Sequence, residues 1–344
     1  MDTKDFQRIR AGLLERRRNL TDWLSDTPAS KKKIRLGAAD ERAVQTHLQV
    51  LDTAIEKTED ETLGYCDVCD DYINPSRLEM DYTCCVCLEH LSGEERDRLE
   101  DDLQLSAKVQ QALLPQQVPE IPGLELAAFS RPAEFVGGDY FDFFRFRDQS
   151  HGLVIGDVMG HGIAASLLMA SLQASLRTLA PDHDSPAEII RRLNSIFHHN
   201  IHLTKFVTLF IARYDPQTRS LTYSNAGHNP PLLFRSQSNG TWPLSWLAPT
   251  GAAIGLVEDT QFGEETVTLA PGDTLLLYTD GVTEAKNAQK EEFGQERLVE
   301  LVRQGSDRSA RELVREVRNR LEGFTDGQPL ADDTTIVAGK AEEQ

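Results

Sequence analysis

Apolar side chains recur at helical spacing near the start of the chain, first over residues 3–25 and then at Val44, Leu48, Leu51 and Ile55. The polar stretch 27–33 separates the two runs. Two amphipathic helices with a short connection between them favour an antiparallel pair. We therefore predict a helical hairpin over residues 1–63.

A further helical pattern is predicted within residues 92–117. The sequence SGEE (92–95) has the form of a capping box, in which Ser92 caps the helix and Glu95 reaches back. The pattern ends near Pro115, because proline disfavours helical backbone in the residue before it. Its apolar face consists of Leu105, Val109 and Ala112. We expect this linker helix to contact either the next domain or a second copy of the chain.

From about residue 118 the pattern changes to short strand-like runs with helices between them. The predicted strands are 124–131, 139–146, 152–159, 206–215, 220–228, 265–270, 273–281 and 334–340. The predicted helices are 162–179, 186–200, 295–303 and 309–322. Strands in pairs and helices in blocks are typical of a layered α+β domain with mostly antiparallel sheets.

Composition and charge argue against nucleic-acid binding and against a membrane protein. The chain has 344 residues, enough for two domains, and a net charge of −19 that argues against broad binding to nucleic acid. We find neither a run of eighteen apolar residues nor an apolar segment at the N-terminus. The sequence therefore predicts a cytoplasmic protein that does not associate with membranes and does not bind nucleic acid directly.

All five cysteines lie within residues 66–87. They include two CxxC pairs, an arrangement typical of a tetrahedral structural zinc site. The predicted ligands of one structural Zn²⁺ are Cys66, Cys69, Cys84 and Cys87. Cys85 and His90 are alternative ligands at the second pair. We assign residues 64–91 to a zinc finger.

The segment LGYCDVCDDYINPSRLEM, followed by CxxC and preceded by the hairpin, resembles the DksA/TraR-type zinc fingers over residues 1–91. Members of that family reach into RNA polymerase with acidic residues at the hairpin tip. Here the tip, 27–42, is basic before Asp40 and has no pair of spaced aspartates. The resemblance thus extends to the zinc site and departs at the polymerase-contacting residues.

Acidic residues stand at predicted strand ends, each beside a glycine or another acid: Asp139, Asp157, Asp280 and the pair Asp332–Asp333. Clustered carboxylates repel one another unless a cation compensates them, and oxygen ligands favour Mg²⁺ or Mn²⁺. We expect the glycines at 137, 138, 156 and 160 to leave room for phosphate and water. Asp142 is excluded, since the third residue along a strand faces the other side.

Six motifs occur in order along residues 100–340: VGGDYFDFF, GDVMGHGIAASLLMA, FVTLFIARYD, YSNAGHNPPLL, LLYTDGVTEA and DDTTIVA. Together they resemble the PPM-type metal-dependent serine/threonine phosphatases, and most closely the SpoIIE/RsbU branch. The resemblance implies a PPM-type layered α-β-β-α sandwich. It also implies a phosphatase domain over residues 118–341, after the hairpin (1–63), the zinc finger (64–91) and the linker helix (92–117).

The resemblance implies that two Mn²⁺ or Mg²⁺ ions are bound by Asp139, Asp157, Asp280 and Asp332, with the carbonyl of Val158 completing one shell. Asp333 is then a neighbour, although the sequence leaves open an exchange of roles within the pair. Water activated by the two metals would hydrolyse phosphoserine or phosphothreonine without a phosphoenzyme. His161 is weighed as a general acid but favoured as a packing residue, and His228 as a turn residue.

In this branch the substrate is often a phosphorylated anti-sigma-factor antagonist, which is therefore the expected partner. We also expect a homodimer through the linker helix. The alternative is a transcription-associated protein that contacts RNA polymerase through the zinc-finger hairpin and carries the phosphatase-like domain as a scaffold. The intact acidic set favours the enzyme.

Overall fold

The computed structural model describes residues 3–26, 42–66, 71–73, 78, 82, 93–160, 162–200, 206–237, 240, 242–305, 307–328 and 330–343. The chain divides into two compact units. Of the described residues, those within 3–104 form the first unit and those within 105–343 form the second. The division at 104/105 falls inside the predicted linker helix.

Helices α1 (Thr3–Asp26) and α2 (Arg42–Glu59) form the core of the first unit, which confirms the two helices predicted there. Ion pairs join Arg10 to Glu59 and Arg17 to Asp52, so the helices run antiparallel. Their apolar faces pack into one cluster, as helical spacing requires. Its buried members are Phe6, Ile9, Leu13, Leu51, Ala54, Ile55, Leu63, Cys66, Ile73 and Leu78.

The zinc-finger prediction lies almost entirely outside the described residues. Of its ligands only Cys66 is described, and its side chain is buried in the core of the first unit. The other ligands, Cys69, Cys84 and Cys87, lie outside, as do Cys85, His90 and the hairpin tip. The zinc site therefore stays a prediction.

The second unit is built from ten strands among its described residues. They are β1 (Leu124–Arg131), β2 (Tyr140–Arg145), β3 (His151–Val158), β4 (Val207–Asp215), β5 (Ser220–Ala226), β6 (Leu232–Phe234), β7 (Leu244–Trp246), β8 (Glu265–Thr268), β9 (Thr274–Tyr278) and β10 (Thr334–Ala341). One sheet has the order β1-β10-β9-β6-β7 and the other β2-β3-β4-β5-β8. Neighbouring strands in both sheets pair antiparallel.

Helices lie before the strands and between them. They are α3 (Gly93–Leu113), α4 (Gly162–Leu179), α5 (Pro186–Asn200), α6 (Asp280–Thr283), α7 (Gly294–Gln304) and α8 (Ala310–Thr325). A short 3-10 turn, Ala180–Asp182, follows α4. The helix α8 begins with a capping box between Ser309 and Glu312.

Three apolar clusters define four layers. Phe141 and Phe143 of β2 point into the cluster between the sheets, whereas Tyr140 and Phe144 point outward into a cluster with α4 and α5. This alternation follows from the two-residue period of a strand. A third cluster packs α7 and α8 on the outer face of the other sheet. The result is the predicted α-β-β-α sandwich of antiparallel sheets.

Three short elements were absent from the sequence prediction: β6, β7 and α6. The two strands have three residues each and follow prolines, Pro230–Pro231 in one case and Pro243 in the other. A run this short carries no readable periodicity. Pairing with β9 holds β6 in place, and β7 pairs with β6.

One described helical segment, Gly162–Asp182, has the length and hydropathy of a membrane span. In the fold it is α4 with its 3-10 extension. Its buried residues are Ala165, Met169, Leu172 and Leu176, and they pack with residues of β2, β3 and β4. Helix–sheet packing thus accounts for this apolar face.

Asp142 of β2 is fully buried under the helix layer. Its carboxylate accepts two hydrogen bonds from the Arg177 guanidinium of α4, at 2.6 and 2.7 Å, and one from the Tyr140 hydroxyl at 2.8 Å. It also accepts the Phe143 backbone N–H at 2.7 Å. Since β2 is an edge strand, side-chain acceptors of this kind can satisfy backbone donors on its open side.

We expect Arg177→Met to lower the free energy of unfolding by about 2–4 kcal/mol, because it leaves the Asp142 carboxylate buried without its cation. The range is reduced because the Arg177 side chain is 47% exposed. Urea unfolding of the two single variants and of Asp142→Asn/Arg177→Met measures the coupling. We expect the double variant to lose clearly less than the sum of the singles, and strict additivity would contradict the pairing.

Candidate metal centre

The predicted metal-binding aspartates are placed by strand ends of both sheets. Asp139 immediately precedes β2, and Asp157 is the penultimate residue of β3. Because β2 and β3 are antiparallel, with Tyr140 opposite Gly156, the start of one strand adjoins the end of the other. In the second sheet, β9 and β10 are antiparallel in the same way, so Asp280 after β9 adjoins the acids before β10.

Asp139 is buried, with 6% of its surface exposed. Burial raises the pKa of its carboxyl well above the usual value, and the charges of Asp333 and Asp280 raise it further. A hydrogen bond from the Thr279 hydroxyl, 2.8 Å from Oδ2, opposes this effect. The Thr279 hydroxyl thus fixes the orientation of the Asp139 carboxylate, which lies close to the carboxylates of Asp333 and Asp280.

Asp157 interacts with every other acid of the group. The pKa of its carboxyl is raised well above the usual value, first by burial and then by the charges of Asp139, Asp280, Asp332 and Asp333. Mutual repulsion of this kind costs folding energy unless a cation offsets it. The other three aspartates predicted from the sequence, and Asp333, are therefore all close enough to Asp157 to raise its pKa.

The backbone of Val158 faces the loop that carries Asp139. The Val158 N–H donates to the carbonyl of Gly138 at 3.3 Å. A Cβ added at Gly138 would lie 2.6 Å from the carbonyl oxygen of Val158. This carbonyl lies against Gly138, the residue before Asp139, so any side chain at position 138 would press against it. The role of the carbonyl as a metal ligand stays a prediction.

Asp333 differs sharply from its neighbour Asp332. Asp333 is buried, and its carboxylate accepts backbone N–H groups of Gly138 at 2.6 Å and Ala133 at 2.8 Å. Asp332 is exposed, and its carboxylate accepts the N–H of Asp333 at 2.8 Å. The structure gives Asp333 the role of fastening the loop before β2, which leaves Asp332 as the carboxylate of the pair that faces outward.

The expectation that the glycines leave room for phosphate and water is wrong for three of the four. A Cβ at Gly137 would lie 2.1 Å from Oδ2 of Asp333, and one at Gly156 would lie 2.6 Å from the Leu209 side chain. Gly138 meets the carbonyl of Val158, as described above. These glycines allow protein atoms to approach closely. Gly160 has a φ of 99°, a left-handed conformation that glycine adopts at no steric cost.

Sequence reasoning missed two threonines at the centre. Thr279 is fully buried, and besides donating to Asp139 its hydroxyl accepts the Thr335 backbone N–H at 3.0 Å. Its own N–H donates to the carbonyl of Thr335 at 3.1 Å. The available signal was the position of each threonine close to a predicted acid, in YTDG and DDTT. Thr279 orients Asp139 and joins β9 to β10.

His228 has a structural role at the turn after β5. His228 is buried, its N–H donates to the Asn225 side chain at 2.8 Å, and its ring bonds the Thr208 hydroxyl at 2.9 Å. These bonds hold the turn after β5, as predicted for this residue. His161 lies outside the described residues.

Oxygen is the only donor type in the acidic group, a set that suits Mg²⁺ or Mn²⁺ and disfavours softer metals. Among the described residues, no three acidic, histidine or cysteine side chains converge closely enough to form a ready-made metal cluster. The carboxylates are nonetheless close enough to raise the pKa values of Asp139 and Asp157. The donor chemistry therefore fits a divalent cation, which Asp139, Asp157, Asp280 and Asp332 would hold.

The different environments of the two adjacent acids predict different variant phenotypes. We expect Asp333→Ala to lower the free energy of unfolding by about 1–3 kcal/mol, because two backbone N–H groups lose their charged acceptor. We expect Asp332→Ala to change it by less than about 0.5 kcal/mol, because the side chain is exposed. Urea unfolding in the presence of a chelator makes the comparison. Equal destabilisation by the two variants would contradict this assignment.

Comparison with solved structures identifies the fold. The PP2C domain of SiaA from Pseudomonas aeruginosa superposes with a TM-score of 0.63, at 22% identity, over 73% of this chain and 100% of that one. The RsbU and RsbW domains of a Mycobacterium tuberculosis protein give a TM-score of 0.56 at 28% identity, over 67% of this chain and 63% of that one. Together with the acids at the strand ends, the fold defines a PPM-type protein serine/threonine phosphatase.

Sequence comparison identifies the family. The family model of Stage II sporulation protein E (SpoIIE) matches residues 147–342. The phosphoserine phosphatase RsbU of Bacillus subtilis (strain 168) is 29% identical over 242 residues, covering 70% of this chain and 70% of that protein. The chain belongs to the SpoIIE family.

Proposed function

We propose that the chain hydrolyses phosphoserine or phosphothreonine in a regulatory protein, with two Mn²⁺ or Mg²⁺ ions held by Asp139, Asp157, Asp280 and Asp332 and by the carbonyl of Val158. The observation that carries this proposal is the mutual electrostatic coupling of the aspartates at the strand ends. When bound, the ions would lower the pKa of a water molecule and stabilise charge on the phosphoryl oxygens.

The chain's own residues would fix the geometry. Thr279 holds Asp139 in one orientation through its hydroxyl. Asp333 fastens the loop that carries Asp139 by accepting the Gly138 N–H. The β2–β3 register places Asp139 next to Asp157 along the strand ends. Such positioning avoids reorganisation during the reaction, which is a large part of catalysis by preorganised sites.

The proposed substrate is a phosphorylated anti-sigma-factor antagonist or a similar regulatory phosphoprotein. The support is the relationship to RsbU, which is named a phosphoserine phosphatase. We further propose that the protein acts in the cytoplasm and carries one structural Zn²⁺ in residues 64–91. The boundaries at 63/64, 91/92 and 117/118 remain part of this proposal.

Phosphate release from a phosphoserine peptide tests the activity. We expect release with Mn²⁺ or Mg²⁺, none with excess chelator, and recovery when the metal is restored. Phosphorylated proteins of the cell from which the chain comes are then the substrates to compare. If the purified protein releases no phosphate with either metal, the scaffold alternative, in which the hairpin contacts RNA polymerase, is favoured instead.

The linker helix contacts the loop that carries Asp139. The Gln110 side chain of α3 donates to the Gly137 carbonyl at 2.6 Å and accepts the Gly137 N–H at 3.0 Å. Two bonds from one amide fix both backbone groups of a residue only two positions before Asp139. This contact supports the proposal that α3 sets the activity by positioning the metal-binding loop.

Exposed apolar residues on α3 support its second proposed role. Leu105 is 59% exposed and Val109 is 54% exposed, and the two are one helical turn apart. Burial of such a pair against a second copy would remove it from water. We propose that the homodimer forms through this face.

Removal of residues 1–91 leaves α3 in place and tests whether the N-terminal segment acts on activity and dimerisation. We expect the truncated protein to keep the fold of its second unit, and its phosphatase rate and oligomeric state to change. In the full chain we expect Gln110→Ala to lower kcat by about fivefold, since it removes about 1 kcal/mol of hydrogen bonds that position the loop. The matched control is Gln111→Ala, an exposed neighbour on the same helix. Unchanged rate and oligomeric state in the truncation would contradict a regulatory role of residues 1–91, and unchanged kcat in Gln110→Ala would contradict the positioning role of α3.

A further inference from the structure

A cavity of about 540 Å³ opens at the outer edge of β2. Its walls come from the segment after α3, from β2 and β3, and from the C-terminal part of α4 with the 3-10 turn that follows. All of these residues belong to the second unit. The volume lies in the range of pockets that hold small organic ligands.

The walls combine rigid apolar surface with a few polar groups. Pro115, Pro119 and Pro181 contribute backbone of restricted flexibility, and Ile121 and Phe143 contribute apolar surface. The polar groups are Asp142, Arg145, His151 and Arg177. This composition, mainly apolar with a small number of placed polar groups, is typical of ligand sites.

Both guanidinium groups keep hydrogen-bond donors that no atom of the described residues uses. Arg177 bonds Asp142 through Nε and Nη2, which leaves Nη1. Arg145 bonds the Gln149 carbonyl and the His151 ring through Nη1, which leaves Nε and Nη2. A guanidinium fork with two open donors matches carboxylate and phosphate oxygens.

The charges around the cavity leave a positive excess. The Asp142 carboxylate is neutralised by Arg177. Burial, and then the charge of Arg145, lower the pKa of His151, so its ring is neutral near pH 7. Arg145 is therefore the uncompensated charge among the lining residues, in a chain whose net charge is −19.

We propose that this cavity binds a small organic anion, whose carboxylate or phosphate group pairs with Arg145 and Arg177. The apolar body of the ligand packs on Phe143 and Ile121. The site is separate from the metal centre, because Asp142 lies under the helix layer and none of the five acids of the centre lines the cavity. Binding therefore requires no metal, and its failure would leave the proposed phosphatase activity untouched.

Isothermal titration of the full chain with benzoate and with phenylphosphonate, in the presence of a chelator, tests the proposal. The chelator removes metal-dependent binding at the acidic centre. We expect one molecule of at least one probe to bind per chain. Binding of benzoate alone supports a carboxylate ligand, binding of phenylphosphonate alone supports a phosphate ligand, and binding of both supports the shared anion chemistry.

Two variants locate the binding. We expect Arg145→Ala to weaken it by about tenfold or more, since a charge-assisted hydrogen bond is lost. We expect Gln117→Trp, at an exposed lining residue, to fill the cavity and abolish binding. The control Arg303→Ala removes an exposed arginine on α7, on the other sheet's helix layer, and should bind as the unaltered chain does. Absence of binding by both probes, or binding that neither lining variant weakens, would overturn the proposal.

Discussion

Asp157→Ala is expected to lower kcat/KM for a phosphoserine peptide by at least about 1,000-fold. Asp157 is the carboxylate whose pKa is raised by all four other acids, so it lies at the centre of the group. Its removal would take a ligand from the proposed metals, whose stabilisation of the transition state amounts to several kcal/mol. Each loss of about 1.4 kcal/mol lowers the rate tenfold. Phosphate release with saturating Mn²⁺ measures the effect.

The stability of the same variant separates a functional role from a structural one. Asp157 repels its neighbours, so we expect its replacement to leave the free energy of unfolding in chelator unchanged or raised. Asp280→Ala should reproduce the loss of activity, whereas Asp259→Asn, an exposed acid elsewhere, should keep the activity of the unaltered chain. Near-normal turnover by Asp157→Ala and Asp280→Ala would refute their assignment as metal ligands.

Gly281→Ala is expected to disrupt both the fold around the site and the activity. A Cβ at this position would lie 1.9 Å from the carbonyl oxygen of Asp333. The obstacle is backbone, so α6 and the start of β10 would have to separate. We expect a loss of about 3 kcal/mol or more in the free energy of unfolding, comparable to severe overpacking. We also expect a large loss of turnover, because Asp280 and Asp333 would move together with the backbone.

Gly323→Ala is the matched control for that substitution. Gly323 lies within α8 and is exposed, and no neighbouring atom comes within 4 Å of the position that a Cβ would take there. Alanine is the better helix former at such a position, so we expect a gain of about 0.5–1 kcal/mol. Urea unfolding and phosphate release should be measured on both variants. Comparable stability and turnover in the two would show that the contact at Gly281 is easily relieved.

The acidic centre opposes the stability of the domain that carries it. Burial and like charge raise the pKa values of Asp139 and Asp157, which is a free-energy cost to the folded state when these groups are ionised. Hydrogen bonds from Thr279 and from the backbone to Asp333 offset part of that cost. This combination of repulsion and tight fastening is expected where function requires carboxylates to be close together.

Much of the fold was readable from the sequence. The strand β1 and the helices α4 and α5 have the predicted bounds, because long periodic runs reflect one local geometry along their whole length. The six ordered motifs led to the SpoIIE/RsbU branch, and they marked Asp139, Asp157, Asp280 and Asp332 as candidate metal ligands. The position of an acid at a strand end is a local property, so it can be predicted from the sequence alone.

Only the tertiary structure showed that Asp333 and Asp332 have different environments, and which contacts require glycine at positions 137, 138 and 156. The hydrogen bond from Gly138 to Asp333 joins residues 195 positions apart, and that from Thr279 to Asp139 joins residues 140 apart. Contacts of this kind depend on how the two sheets stack, which no local period encodes. The same holds for Gly137, whose lack of a side chain makes room for the Asp333 carboxylate, and for the cavity beside β2. The sequence predicted which residues would carry the chemistry, and the packing of distant segments decided which of these residues hold the others in place.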